Sequence, residues 1–133
     1  MVVYEVNLEF DVAIAEEYRA WLDIHIREIL ALPGFVSAQL HEVLDPRPTA
    51  GRLGLSVRYL VRDDASLDSY LREHAPRLRA DGLQRFGEEG VRIRRRTLRE
   101  VALDNIDQPS SVRDTQPQPG AAVRDRRRQQ AAE

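Results

Sequence analysis

The stretch Val2-Val3-Tyr4-Glu5-Val6-Asn7-Leu8-Glu9-Phe10 alternates with a period of two. Val2, Tyr4, Val6, Leu8 and Phe10 fall on one side, and Val3, Glu5, Asn7 and Glu9 on the other. That period is the pleat of a β-strand with one face toward a core and one that is polar. Arg52 to Val61 repeats it, setting Leu53, Leu55, Val57, Tyr59 and Val61 against Gly54, Ser56, Arg58 and Leu60.

Between these strands the period changes. At about 100° per residue, Ile14, Tyr18, Trp21, Leu22, His25, Ile29 and Leu32 share one helical stripe. Asp11 is placed to cap this helix, Glu16 and Glu17 suit its positive end, and Pro33-Gly34 stops it after Leu32. Phe35 to Leu44 reads as a second strand, joined to the third by the turn-rich Asp45-Pro46-Arg47-Pro48-Thr49-Ala50-Gly51. Asp63 or Asp64 caps a second helix whose stripe carries Leu67, Tyr70, Leu71, His74, Leu78 and Asp81. Pro76 lies inside it and predicts a break, with a second short helix ending near Phe86-Gly87. Val91 to Val101 is a fourth strand, and its many arginines suit an edge.

Strand, helix, strand, strand, helix, strand is the order of a ferredoxin-like βαββαβ fold of the α+β class. Right-handed crossovers give the strand order four-one-three-two, with both helices on one face of the antiparallel sheet. The domain is expected over residues 1–103. Residues 104–133 hold three prolines, five glutamines and no aromatic residue, which predicts a disordered polar tail. Such a tail should be removable without loss of stability.

Composition narrows the chemistry. The chain has 133 residues, a net charge of −2 and no cysteine, so thiolate nucleophiles, disulfides and thiolate metal sites are out. All 20 basic residues are arginine, which excludes lysine Schiff-base chemistry. No apolar run is long enough to span a bilayer, and no signal peptide is legible, so a cytoplasmic protein without membrane contact is expected. Arg126-Arg127-Arg128 lacks interleaved aromatic residues, so no nucleic-acid partner is expected.

No nucleophile elbow, phosphate loop or histidine metal spacing occurs, so no catalytic set, metal or cofactor is assigned. His25 and His74 fall on apolar stripes, where histidines held in the core by hydrogen bonds outrank a shared site with Asp81. Trp21 reads as a core aromatic. The polar sheet face remains. Glu5, Asn7 and Glu9 of strand one lie beside Ser56 and Arg58 of strand three and beside Arg94 and Arg96 of strand four. Gln39 and His41 are within reach from strand two. Convergent polar groups there are the candidate site for a small polar or anionic ligand. A structural salt-bridge ladder has the same sequence form, and the ladder is the favoured reading.

The run Tyr70-Leu71-Arg72-Glu73-His74-Ala75-Pro76-Arg77-Leu78-Arg79-Ala80-Asp81-Gly82, followed by Arg85-Phe86-Gly87, resembles the bacterial domain of unknown function 4286 family. Met1 to Val6, Trp21-Leu22, His25-Ile26, Pro33-Gly34-Phe35, Val57-Arg58-Tyr59 and Arg95-Arg96-Thr97-Leu98 fit it too. The resemblance covers about residues 1–102 and implies a ferredoxin-like, dimeric α+β barrel type of protein with no assigned activity. Leu32-Pro33-Gly34-Phe35 is similar, more distantly, to the antibiotic-biosynthesis monooxygenase group. That similarity implies oxidation of an aromatic small molecule without a cofactor, with Asn7 in the role of a strand-one asparagine; Tyr70 stands where an indole is expected. The sequence therefore supports a non-catalytic, homodimeric small-molecule-binding or interaction module joined through the sheet face. A cofactor-independent monooxygenase is the alternative.

Overall fold

The computed structural model describes residues 1–103. The expected polar tail at residues 104–133, with its arginine run, lies outside the described residues.

Four strands, β1 (Val2–Asp11), β2 (Phe35–Glu42), β3 (Arg52–Val61) and β4 (Val91–Arg99), form one antiparallel sheet in the order β2-β3-β1-β4. This is the order that the ferredoxin-like pattern demands, with β1 between β3 and β4. Helix α1 spans Ala15–Leu30, α2 Asp64–Glu73 and α3 Ala75–Phe86. Met1–Glu100 is one compact unit. Among the described residues no helix is long and apolar enough to cross a membrane.

The boundaries follow local chemistry. Asp11 does cap, but it caps a short 3-10 turn, Val12–Ile14, by accepting from the Ala13 N–H at 3.0 Å; the α-helix proper begins at Ala15. That helix stops at Leu30, two residues before the expected Leu32, because its last turn tightens. The Leu32 N–H reaches back to the Ile29 carbonyl at 3.0 Å, and Gly34 then adopts φ 89°, a left-handed turn that a side chain would strain. Strand β2 ends at Glu42 rather than Leu44, and β4 at Arg99 rather than Val101. An irregularity between Phe35 and Ser37 leaves Val36 outside the ladder and exposed.

Asp63 is the cap of α2, accepting from the Ser66 N–H at 2.8 Å. The Pro76 break falls where expected. His74 leaves helical geometry at φ −120°, and its N–H bonds the Tyr70 carbonyl at 2.9 Å before α3 starts with Pro76 in its first turn.

Burial confirms the two-faced strands. Val2, Tyr4, Leu8 and Phe10 of β1 meet Val57, Tyr59 and Val61 of β3 under Tyr18, Leu22, Ile29, Leu67 and Tyr70 of the helices. Burying each such side chain contributes about 1.5–3 kcal/mol.

Candidate functional site

The outer sheet face has the expected register. Glu5 lies opposite Arg58 on β3 and opposite Arg96 on β4, while Asn7 lies between Ser56 and Arg94. The Arg96 Nε donates to Glu5 Oε2 at 2.7 Å, the Arg58 Nε to Oε1 at 3.1 Å, and the Asn7 amide to Oε2 at 2.7 Å. Glu5 is only 3% exposed although no helix covers it, because the stems of two exposed arginines roof it over. The Arg96 hydrogen bond, against the opposing effect of burial, holds its carboxyl below the usual carboxylate range, with Asn7 and Arg58 assisting.

Glu9 pairs instead with Arg52, at 3.0 Å. Ser56 is half-buried beside Asn7, and Gln39 and His41 are exposed on the flanking strand. Arg94 makes no ion pair among the described residues. The structure thus brings Glu5, Asn7, Arg58 and Arg96 into one closed network, gives Glu9 a different partner and leaves Arg94 outside. Glu5, the one buried carboxylate among the described residues, is already engaged by three donors. This geometry is a salt-bridge ladder.

A hollow lies on the other face. A cavity of about 270 Å³ separates the inward side of β1, β3 and β4 from α1 and α3. Its floor comes from the alternation that makes the core: Tyr4, Val6 and Leu8, then Val57 and Tyr59, then Val91, Ile93 and Arg95. Its roof is the α1 stripe from Tyr18 to Ile29 with Gly82, Leu83 and Phe86 of α3. Ile93 faces the helices yet is 40% exposed, so the helices do not close over β4.

Aromatic rings build two walls. In the first, Trp21 stacks on His25 at 4.5 Å between centroids, and Tyr18 meets Phe86 edge-on at 5.0 Å. In the second, Tyr4 stacks on Tyr59 at 6.0 Å and meets Tyr70 edge-on at 5.9 Å. Each pair adds roughly 0.5–1.5 kcal/mol beyond area burial. The Trp21 Nε1–H donates to Asp81 at 2.9 Å, pinning α1 to α3. Gly82 makes that contact feasible, since a Cβ there would stand 2.8 Å from the indole ring.

Polar groups punctuate the apolar lining. The Arg79 guanidinium donates to the Tyr4 hydroxyl at 2.9 Å. Burial lowers the His25 pKa to about 4, and the charge of Arg95 pushes the same way while Asp81 opposes it, so the imidazole is neutral near pH 7. Burial also raises the Tyr18 and Tyr70 hydroxyls to about 12 and pushes Tyr59 up further, which keeps all three phenols protonated.

These positions correct the readings of the helical stripes. Among the described residues His25 has no side-chain hydrogen bond; it stacks on Trp21 and lines the cavity. His74 sits at the α2–α3 junction, with its Nδ1 3.3 Å from Arg77, and lines a separate surface groove, so the two histidines and Asp81 form no common site. Among the described residues no three His, Asp or Glu side chains are grouped to hold a metal ion. Trp21 packs against the core as expected and also walls the cavity, and Asn7 points away from this cavity, toward Glu5. The missed signal was the phase of β4: with Val91 and Ile93 inward, Arg95 must also face the helices.

The sheet order and helix placement define an α+β fold shared with antibiotic-biosynthesis monooxygenase-like proteins. A candidate antibiotic biosynthesis monooxygenase from Deinococcus radiodurans superposes with a TM-score of 0.60 at 15% identity, over 80% of this chain and 98% of that one. SnoaB, a cofactor-independent oxygenase from Streptomyces nogalater, gives 0.56 at 13% identity, over 78% and 97% of the two chains. HapK from Hahella chejuensis gives 0.56 at 18% identity, over 77% and 95%. At such identities the likeness is one of fold. No curated protein matches the sequence. The chain belongs to the family described as Domain of unknown function (DUF4286), whose model matches residues 1–101.

Proposed function

We propose that this chain is a small-molecule-binding protein of the cytoplasm whose ligand is an aromatic compound held in the cavity between sheet and helices. The observation that carries this reading is the cavity itself, about 270 Å³ walled by aromatic rings and interrupted by a few polar groups. An apolar cavity of about 150 Å³ already holds a benzene ring, so this one has room for a fused bicycle. A concave, mostly apolar lining with sparse polar groups is the usual form of a small-molecule site. The outer-face ladder, with its carboxylate engaged, is proposed as part of a homodimer interface rather than as the ligand site.

Support for that dimer comes from the row beside the ladder. Val3 is flanked in register by Leu60 and Leu98, three half-buried apolar side chains on a face no helix covers. A sedimentation mass of one chain at micromolar concentration would overturn the dimer.

Titration calorimetry of the full chain with naphthol tests the cavity. Saturable binding that weakens when Gly82→Leu drives a side chain against the indole is the expected result. Loss of all binding heat in the unaltered protein would overturn it.

The second reading is cofactor-independent oxygenation of the bound aromatic. It is supported by the fold likeness to SnoaB and by a neutral imidazole, His25, on the cavity wall, a form able to accept a phenolic proton. An oxygen electrode separates the two: ligand binding without oxygen uptake supports a binding protein, and uptake abolished by His25→Phe supports the oxygenase.

A further inference from the structure

Three cavity hydroxyls lack partners. Tyr18, Tyr59 and Tyr70 are each at most 3% exposed. Among the described residues only the Tyr4 hydroxyl has a protein hydrogen bond. No buried polar side-chain atom is both unbonded and sealed off. The three hydroxyls therefore keep some accessible surface; Tyr18 and Tyr59 line this hollow, and Tyr70 borders both it and the groove beside His74. A phenol that stays protonated is a donor, and one with accessible surface can offer its proton to a ligand's acceptor.

A cation accompanies them. Arg95 lines the cavity from β4 and forms no ion pair or side-chain hydrogen bond among the described residues. It is exposed where the helices stop short of β4, and it shares the lining with Tyr18, His25 and Tyr70. The cavity's second arginine, Arg79, is engaged with Tyr4. Glu88 is the carboxylate of the lining, and it forms no ion pair that would occupy Arg95. Donors and a free guanidinium gathered on an aromatic hollow ask for an acceptor-rich, negatively charged group on a flat apolar body.

We infer that the ligand is a planar aromatic carboxylic acid bound as its anion, with Arg95 holding the carboxylate, the tyrosine hydroxyls donating to it, and the ring system lying between the aromatic walls. This deepens the proposed small-molecule function and rests on the cavity being the site. It also moves the anion-binding role from Arg58, Arg94 and Arg96 on the outer face to an arginine on the inner one.

The test compares naphthoate with its neutral isostere naphthamide by calorimetry, using the full chain. Naphthoate is expected to bind about tenfold tighter than the amide, the worth of one charge-assisted contact. Arg95→Gln should erase that preference by weakening naphthoate binding about tenfold, and Arg95→Lys should keep part of it. Equal affinity for both compounds, unaffected by Arg95→Gln, overturns the acid assignment and leaves the cavity reading standing. Absence of binding by either compound overturns both.

Discussion

The two faces of the sheet handle polarity in opposite ways. On the outer face, polar groups meet one another: Glu5 takes hydrogen bonds from Arg58, Arg96 and Asn7. On the inner face, aromatic residues meet one another around a hollow, and among the described residues only the Tyr4 hydroxyl of the four tyrosines has a protein hydrogen bond. A closed polar network has little left to offer a ligand, whereas an open one under an apolar roof is preorganised to receive one. Charge density alone points to the outer face. Unfilled hydrogen-bonding capacity points to the other.

The largest effect that sharpens this contrast lies on the inner face. Phe10 is 1% exposed and packs on Tyr18 at 4.8 Å. Phe10→Ala should cost about 3–5 kcal/mol in urea denaturation. Glu9→Ala, next to it but on the outer face, should cost only about 1 kcal/mol or less.

Acid comes next. His25 ionises in the folded state near pH 4, below its value in the unfolded chain, so the unfolded state binds more protons between about pH 6.5 and 4. Stability contributed by the neutral imidazole is complete above that window and is lost as pH falls through it, by at most about 3 kcal/mol. His25→Phe should flatten the denaturation midpoint over that range; an unchanged slope would place the imidazole in water.

The outer ladder responds to acid as well. Glu5 has a depressed pKa, so its contribution is present above the ordinary carboxylate value and is lost as pH falls through the lowered one. Glu5→Gln should cost about 1–2 kcal/mol at pH 7, with both arginine partners free to rehydrate. Arg94→Gln, with no ion pair to lose among the described residues, should stay within about 0.5 kcal/mol. Equal losses at the two positions would show that the ladder contributes no pairing at all.

Much of this was legible in residue order. The period of β1 and β3, the Asp63 cap and the Pro76 break each express a local rule: pleat alternation, side-chain competition for free N–H groups, and the proline ring's missing donor. The Glu5 pairing followed from the topology, because a central strand with that register has arginines on both sides. The cavity was not legible. Trp21, Tyr18 and Tyr70 obey the same helical stripe whether they fill a core or wall a hollow, and only the way α1 and α3 stop short of β4 decides which. Hydroxyl partners are a property of three dimensions, and the stripe carries no trace of them.

The tyrosine and tryptophan content has one more consequence. The chain has four tyrosines and one tryptophan, and Tyr4, Tyr18, Tyr59, Tyr70 and Trp21 all border the same hollow. The tyrosine and tryptophan bands of its absorption, circular dichroism and fluorescence spectra therefore all arise from the cavity wall. Those bands report on the candidate site, so occupancy is readable without a label.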